Sequence, residues 1–176
     1  WAYGVLQQVE TTDPGEGGAD LILTGPGPDI VMGGAAADEI DAGTDSNGDT
    51  SQDIVLGDNG FGMFGGDGGL DVIESTHTSI GGGDTIHTGG GPDIVIGGAQ
   101  ADAIHTESGR DIILGDNGSA TFDEMVAPVV VASIAPLDGG PDAIFAGPDH
   151  DIVFGGTSDD EIHGGAAHDI LLGDHG

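Results

Sequence analysis

The sequence has almost no cationic side chains. A single arginine, Arg110, and no lysine stand against 32 acidic residues, which gives a formal net charge of −31. Nucleic-acid phosphates and anionic lipid surfaces are bound through Lys and Arg, so this composition excludes a nucleic-acid partner and disfavours docking on a membrane. Charge of one sign repels itself and destabilises a compact chain. We therefore expect the folded form to depend on a bound cation.

Cysteine is absent, and long apolar runs are missing. Without cysteine the chain has no disulfides and no thiolate metal ligands, which fits an extracellular protein stabilised by a cation. The longest apolar run, residues 126–135, is too short to span a bilayer, so we expect no membrane insertion. The sequence shows no signal peptide and no initiator Met, and we expect it to be a segment of a longer chain.

Glycine and periodically placed aliphatic residues dominate what is there. So acidic a chain could simply be disordered. Against this, 36% of the residues are hydrophobic, and they recur at fixed intervals, which disordered acidic tails lack. The 37 glycines lose more backbone freedom on folding than any other residue type. A fold of this composition needs an external source of stability, and a bound cation would provide one.

The chain repeats with two periods. The long period is 58 residues, set by the closing sequence LGDNG or LGDHG, and it predicts three modules: residues 1–60, 61–118 and 119–176. Within each module an aspartate returns every nine residues, apart from a six-residue insertion in the first module. Segments of different character, about twenty residues long, separate the blocks and break this phase. The twelve periodic aspartates are Asp20, Asp29, Asp38, Asp53, Asp84, Asp93, Asp102, Asp111, Asp142, Asp151, Asp160 and Asp169.

A period of nine matches neither an α-helix nor a simple alternating strand. It suits a six-residue, glycine-rich turn followed by a three-residue strand. Two such units make one coil of a flattened solenoid, in which strands of successive coils stack about 4.8 Å apart. The middle residue of every three-residue strand is Ile, Val or Leu, as in Ile22, Val31 and Ile40. These residues are predicted to point inward and form a narrow aliphatic core.

The repeat resembles the RTX nonapeptide, G-G-x-G-x-D-x-U-x. The aspartate and the aliphatic position match well, whereas the glycines are degenerate. GGAAAD (33–38), GGAQAD (97–102) and GGTSDD (155–160) keep the first two glycines, and TGPGPD (24–29) and TGGGPD (88–93) lose the first. The resemblance implies an all-β fold, a calcium-binding parallel β-roll solenoid, with the segments between blocks forming hairpin-like additions. It also implies a secreted bacterial protein, found outside the cell, on its surface or in a filament.

Calcium takes roughly six to eight oxygen ligands and mixes carboxylates with backbone carbonyls. Turns on one side of a roll recur every eighteen residues, so an ion can lie between two aspartates at that spacing. This pairing gives about six ions. The alternative is that the aspartates only satisfy local turn amides, but such turns would admit Asn, and none of the twelve is Asn. The pairs are Asp84 with Asp102, Asp93 with Asp111, Asp20 with Asp38, Asp29 with Asp53, Asp142 with Asp160, and Asp151 with Asp169.

Further metal ligands are predicted at two places. Asp58, Asp116 and Asp174 begin the turn after the closing strand of each module, and they would raise the count to about nine ions or serve as plain turn residues. The insertion at 41–53 carries Asp45, Asn47 and Asp49 at the spacing of an EF-hand loop. Leu56 stands where that loop needs glutamate, which favours a solvated loop over another ion.

His87 and His105 are predicted to be outward neighbours on adjacent strands. They could share a transition metal, but the pair is not repeated in the other modules, so exposed strand residues are the favoured interpretation. The sequence Asp149, His150, Asp151 invites a catalytic reading, but no nucleophile or phosphate-binding loop accompanies it. We therefore predict no enzymatic activity.

The outer faces of the two predicted sheets differ. Strands that follow Asp29 and its equivalents have apolar residues at every outward position, whereas the opposite sheet is mostly polar outside. A bare face of this kind would exceed the few hundred Å² usual for a soluble monomer. The segments between blocks are therefore predicted to fold over it as strands or hairpins, so that Ile112 and Ile170 are covered.

These features predict a calcium-stabilised, extracellular structural segment: a filament, an adhesin stalk or a surface-layer scaffold. The alternative is the accessory calcium module of a secreted hydrolase or toxin. Ice or glycan binding would need a flat threonine or aromatic ladder, which the sequence lacks. Solenoids normally carry polar caps, and none is evident here. We therefore expect end-to-end continuation, either covalently in a longer repeat protein or through self-association.

Overall fold

The described part of the protein is all-β and forms three sheets. A computed structural model describes residues 6–43, 49–123 and 127–174. These residues contain no helix whose length and hydropathy would let it span a bilayer. The strands are β1 (Gln8–Glu10), β2 (Leu21–Leu23), β3 (Ile30–Met32), β4 (Glu39–Asp41), β5 (Ile54–Leu56), β6 (Gly60–Phe64), β7 (Leu70–Ser75), β8 (Thr85–His87), β9 (Ile94–Gly98), β10 (Ala103–His105), β11 (Ile112–Asp116), β12 (Gly118–Phe122), β13 (Pro128–Ser133), β14 (Ala143–Phe145), β15 (Ile152–Gly156), β16 (Glu161–His163) and β17 (Ile170–Asp174).

Two of the sheets are parallel and six-stranded, and together they form the predicted β-roll. The open sheet has the order β16-β14-β10-β8-β4-β2, and the covered sheet has the order β17-β15-β11-β9-β5-β3. The chain alternates between them, so one strand of each sheet makes one coil. Equivalent repeat positions lie side by side, as Ile104 does with Ile86 on one side and Ile144 on the other. The period of nine therefore produces the register as well as the strands.

The space between the two parallel sheets is filled by the middle residues of the strands. Ile40, Val95, Ile104 and Ile113 have no exposed surface, which confirms the predicted aliphatic core. Burying each such side chain contributes about 1.5–3 kcal/mol. The cluster consists of Val31, Ile40, Ala42, Val55, Ile86, Val95, Ile104, Ile113, Ile144, Ala146 and Val153, with Ile22 and Ile162 at its ends.

The roll continues without interruption across the boundaries of the sequence modules. β4 pairs with β8 and β5 pairs with β9, although a long segment separates them in sequence. β10 with β14 and β11 with β15 repeat the same arrangement. The 58-residue modules stay a prediction about how the sequence is divided. In space, the coils of the described residues form one stack.

The third sheet, called the lid, is antiparallel, with the order β1-β6-β7-β12-β13. It consists of the segments between blocks, and it packs on the covered sheet, as predicted. Ile73 and Ala120 of the lid join Ile96 and Leu114 of the covered sheet in one buried cluster. The prediction is wrong at one end, because Ile112 is 7% exposed whereas Ile170 is 57% exposed. Ile170 lies on β17, the last strand of the covered sheet.

Candidate metal-binding turns

The twelve periodic aspartates form two straight ladders along the edges of the roll. In each ladder the backbone N–H of one aspartate donates to Oδ1 of the aspartate in the next coil, at 2.7–3.2 Å. The ladders are a consequence of the repeat, because every turn delivers its aspartate to the same position just before a strand. The first ladder is Asp20, Asp38, Asp84, Asp102, Asp142 and Asp160, and the second is Asp29, Asp53, Asp93, Asp111, Asp151 and Asp169.

The second oxygen of most of these carboxylates is buried without a partner. Because Oδ1 is used by the ladder, Oδ2 points into the glycine-rich turn. Burying a polar oxygen without a hydrogen bond is costly, and burying a charged one costs more. The residues with an orphaned buried Oδ2 are Asp38, Asp53, Asp84, Asp102, Asp111, Asp142, Asp151 and Asp160.

Glycines bring a backbone carbonyl close to each orphaned oxygen of the first ladder. A Cβ built on Gly97 would lie 2.5 Å from Asp102 Oδ2 and would also collide with the carbonyl oxygen of Gly115. Gly33, Gly57, Gly115 and Gly155 are enclosed in the same way, each by the Oδ2 of a ladder aspartate and the carbonyl of the next turn. Two kinds of hydrogen-bond acceptor thus face one small space. One is a carboxylate oxygen without a donor, and the other is a backbone carbonyl, which at Gly57 also accepts the N–H of Gly34 at 3.1 Å.

Burial raises the pKa of these carboxyl groups. The pKa of Asp53, Asp84 and Asp111 rises to about 7, and that of Asp142 rises to about 8. Loss of hydration is the largest cause in each case, and neighbouring carboxylates of the same ladder add repulsion. Without a counter-charge, the folded chain therefore opposes ionisation of its own turns.

A calcium ion fits this environment better than any other common occupant. Calcium prefers carboxylate and backbone carbonyl oxygens, and the turns present both, with no hydrogen-bond donor on the carboxylate Oδ2. In the described residues, no three His, Asp or Glu side chains converge on one point. Each turn would therefore supply one carboxylate from the ladder and complete the coordination with carbonyls. Sequence reasoning predicts that carbonyls of the glycine-rich turns take part, but it does not identify which ones, because every residue type carries a carbonyl.

The predicted pairing of aspartates is incomplete. Asp84 lies next to Asp102, as expected, but it lies equally next to Asp38, which belongs to the preceding module. The segments between blocks interrupt the nine-residue phase in sequence but not in space. Each ladder therefore runs continuously through all six of its aspartates, and the spaces between modules are equivalent to those within them.

Some periodic aspartates differ from the rest. Asp93 Oδ2 accepts a 2.7 Å hydrogen bond from the hydroxyl of Thr88, so this oxygen is not orphaned. The threonine directly follows β8, and its position after the strand was the sequence signal that could have identified it. At the ends of the ladders, Asp20 is exposed and Asp29 and Asp169 are partly exposed. These three residues lack the enclosure of the central turns.

Asp58 and Asp116 lie on the predicted edge, but their oxygens are already used. Asp58 accepts the backbone N–H of Gly82 at 2.9 Å through Oδ1 and that of Ala99 through Oδ2. Asp116 accepts the N–H of Gly140 at 2.9 Å and that of Thr157. These contacts favour the turn role over a third ion, because they tie a lid segment to the roll. Asp174, the equivalent residue of the last module, is exposed.

The insertion is described only in part. Asp45 and Asn47, predicted as ligands of an additional cation, lie outside the described residues. Asp49 is buried, and its carboxylate accepts N–H groups from Ser51 at 2.8 Å and from Gly27 at 3.0 Å. The hydrogen bonds from Ser51, followed by the one from Gly27, lower the pKa of Asp49. This carboxylate therefore closes a turn.

The predicted histidine neighbours belong to a longer row on the open sheet. The rings of His87 and His105 stack with centroids 4.9 Å apart, and Phe145 and His163 continue the stack at 4.7 Å. A phenyl ring inside the row indicates packing along the sheet. The favoured interpretation of these histidines as outer strand residues agrees with this geometry.

Comparison with known families finds the same repeat. The model of the family HemolysinCabind, described as RTX calcium-binding nonapeptide repeat (4 copies), matches residues 14–49, 79–113 and 138–176. The matched stretches hold most of the roll, and the strands of the lid lie outside them. No curated protein and no solved structure matches the chain. Because the matches cover more than half of the sequence, the chain belongs to the RTX calcium-binding nonapeptide repeat family.

Proposed function

We propose that this protein is a calcium-stabilised structural segment that acts outside the cell, as part of a filament, an adhesin stalk or a surface-layer scaffold. One observation carries the proposal: in each enclosed turn of the first ladder, a buried carboxylate oxygen without a hydrogen-bond partner faces a backbone carbonyl oxygen of the next turn. Without a cation the oxygens of such a turn repel each other, whereas all of them would attract a bound cation. The family is a calcium-binding repeat module, and its members are typically secreted by bacteria.

Different groups of the roll would contribute in different ways to binding the ion. The ladder hydrogen bonds fix Oδ1 of each aspartate, so that Oδ2 keeps a constant direction from coil to coil. The glycines let the carbonyl of the next turn approach, because any side chain there would collide with it. Bound calcium would supply the positive charge that these oxygens lack. Extracellular calcium modules operate at dissociation constants of about 10⁻⁴–10⁻³ M, which suits secretion into a calcium-rich medium.

We infer a structural role from the way in which calcium would stabilise the fold. Bound calcium would tie neighbouring coils together through the Oδ2 of a ladder aspartate and the carbonyl of the next turn. An elongated stack of coils with a covered face supports load and spacing. The function is therefore a calcium-dependent transition from a self-repelling chain to a rigid rod.

Isothermal titration calorimetry and circular dichroism with calcium test the proposal. The chain should be largely unfolded in chelator and gain β-structure as calcium is added, whereas magnesium should substitute poorly because it requires tighter octahedral geometry. An unchanged spectrum in excess chelator would contradict the proposal.

The variant Asp102→Asn sharpens this test. It keeps the Oδ1 that accepts the N–H of Asp84, but it places an amide donor where Oδ2 faces the Gly115 carbonyl. We expect fewer bound ions per chain and more residual structure in chelator. Asp71→Asn is the matched control, because Asp71 is an exposed lid residue outside the ladders. It should leave the number of bound ions unchanged.

A further inference from the structure

The same carboxylate contact joins successive modules at both internal junctions. At the first junction, Asp58 accepts the N–H groups of Gly82 and Ala99, and at the second junction Asp116 accepts those of Gly140 and Thr157. The donors lie 24 and 41 residues after the aspartate in both cases. We call this contact the junction clasp. It connects the end of one module to two segments of the next module. One is the turn through which the chain passes from the lid back to the roll, and the other is a later turn of the roll.

The first module carries the donors of a clasp without an aspartate. Gly18 and Ala35 stand at the positions of Gly82 and Ala99 in the repeat, and their N–H groups have no partner among the described residues. Next to them is a groove of about 220 Å³, lined by Gly17, Gly34 and Ala35 and also by the acidic residues Asp13, Glu16 and Asp20. This groove occupies the place where the Asp58 and Asp116 carboxylates lie in the following modules.

At the internal junctions, another coil lies directly against the glycines that are equivalent to Gly18. At the internal junctions, a Cβ on Gly82 would collide with the backbone of Ala36, and one on Gly140 would collide with the backbone of Gln100. These close approaches require glycine. At Gly18 nothing lies within 4 Å. The first module therefore has the surface of a junction that no other part of the described chain occupies.

The opposite end of the roll has the complementary groups. Asp174, the repeat equivalent of Asp58 and Asp116, is exposed. The backbone N–H groups of Asp160 and Asp169 have no acceptor among the described residues, whereas the carboxylates of Asp20 and Asp29 have no ladder donor. Each end therefore lacks what the other provides.

Apolar side chains frame both ends. Leu21 and Leu23 are 63% and 66% exposed at one end, and Ile170 and Leu171 are 57% and 46% exposed at the other. β2 and β3 lie at one edge of the two parallel sheets, and β16 and β17 lie at the other. At each internal junction, the equivalent strands pair in parallel, as β4 does with β8 and β5 with β9. A second copy would continue both sheets in the same register.

We propose that a second copy of this chain docks end to end, with its Asp174 carboxylate in the groove lined by Gly17, Gly34 and Ala35, where it accepts the N–H groups of Gly18 and Ala35. β16 and β17 of one copy then pair with β2 and β3 of the next, and the aspartate ladders run on through the contact. The interface is heterologous, so the assembly grows as an open, unbranched filament. This inference rests on the proposed function, because the ladders can approach each other only when calcium neutralises them.

Sedimentation velocity and electron microscopy of residues 1–176 in calcium test the proposal, with circular dichroism of the same samples to report folding. The wild-type chain should form concentration-dependent, unbranched rods. Asp174→Ala should weaken association at least tenfold without altering the spectrum, because Asp174 is exposed. Asp71→Ala removes the same charge from an exposed position in the lid and should associate like the wild type.

Two further variants locate the groove. Gly18→Leu meets open space in the isolated chain but blocks the approach of a second copy, so it should fold and not associate. Ala35→Thr supplies the hydroxyl that Thr157 donates to Asp116 at 2.8 Å in the second junction, and it should tighten association. Gly18→Leu has an intact Asp174 end, and Asp174→Ala has an intact groove. A mixture of these two variants should form dimers, and assemblies of more than two copies should not appear.

The outcomes separate this proposal from the one it rests on. A chain that stays unfolded in calcium overturns the proposed function and the end-to-end contact together. A folded chain that remains a monodisperse monomer at high concentration overturns the contact alone. Association that Gly18→Leu and Asp174→Ala leave unchanged overturns the docking geometry.

Discussion

The roll and the lid use backbone and carboxylate groups in different ways. Every orphaned carboxylate oxygen of the described residues belongs to the roll, and no residue of the lid strands contributes one. The lid strands pair antiparallel through ordinary ladders. The lid's apolar face packs on the covered sheet, whereas the roll has a second core between its own two sheets. The roll therefore needs a cation, and the lid needs the roll.

This difference predicts that the stability of the lid depends on the folding of the roll. The lid lacks a cation site of its own among the described residues, but its buried side chains find their partners only on the covered sheet. A five-stranded sheet with one apolar face left bare is not expected to be stable alone. Loss of calcium should therefore reach the lid through the roll.

The largest expected effect is that of chelation. Removing calcium should unfold the roll, and the lid should unfold with it although its described strands contribute no orphaned carboxylate oxygen. Hydrogen exchange followed by mass spectrometry at increasing chelator concentration measures both regions in one experiment. Amides of β12 and β7 should lose protection at the same concentration as those of β9 and β11. If the lid amides stayed protected after the roll amides had exchanged, the predicted dependence of the lid on the roll would be contradicted.

A smaller effect is expected from acid in the absence of calcium. The folded-state pKa values of Asp53 and Asp84 lie at about 7 and that of Asp142 at about 8, above the ordinary value of 3.8. The folded chain thus binds more protons than the unfolded chain between these values, and its stability rises as the pH falls from about 8 towards 4. We expect the chelated chain to regain β-structure between pH 8 and pH 5.

Circular dichroism in chelator across this pH range checks the acid prediction. In calcium the direction should reverse, since protons compete with the ion for the same carboxylates and the apparent calcium affinity should fall with pH. A spectrum in chelator that does not change with pH would contradict the idea that buried carboxylates limit the folding of the roll.

Deleting core side chains should compare the two packing layers directly. Ile73 in the lid and Ile104 in the roll both have no exposed surface. Replacing either with Ala should cost about 2–5 kcal/mol of unfolding free energy in calcium. Denaturant unfolding measures the cost, and calorimetry measures the ions. Ile73→Ala should keep the number of bound ions, whereas Ile104→Ala should also weaken calcium binding because it loosens the turns beside it.

The smallest effect is expected at a single hydrogen bond of the lid. Ser75 is buried, and its Oγ accepts the N–H of Gly118 at 3.2 Å. Ser75→Ala should lower the unfolding free energy by about 1 kcal/mol, since the donor of Gly118 loses its partner. Ser119→Ala, at a partly exposed position of β12, is the matched control. Equal stability of both variants would show that this bond contributes nothing.

The central coils could be predicted from the sequence because their pattern is repeated and their partners are identical. Ile40 and Ile104 occupy equivalent positions, so one correct assignment determines the other. The apolar outer face also predicted the lid. The exposure of Ile170 could not be predicted in this way, because coverage depends on where the lid strands end in space.

The side chains of the metal-binding turns could be predicted from the sequence, but the positions of their backbone carbonyls could not. The spacing placed Asp84 and Asp102 in adjacent coils. It did not link Asp38 to Asp84, because the intervening lid segment changes the separation in sequence without changing the stacking. The approach of the Gly115 carbonyl to Asp102 depends on the turn conformation, which the degenerate glycines of the repeat do not specify.

The ladder hydrogen bonds show how little the chain path between coils matters. Successive aspartates of one ladder are 18 residues apart within a module but 40 or 46 apart where a lid hairpin intervenes. Doubling the length of a flexible loop adds only about 0.6 kcal/mol to the entropy of closing it. A coil can therefore accept a long excursion at its corner at almost no cost in closure entropy, provided that the excursion buries apolar surface when it returns. Insertions of new segments at these corners should be tolerated wherever the next aspartate still reaches its place in the ladder.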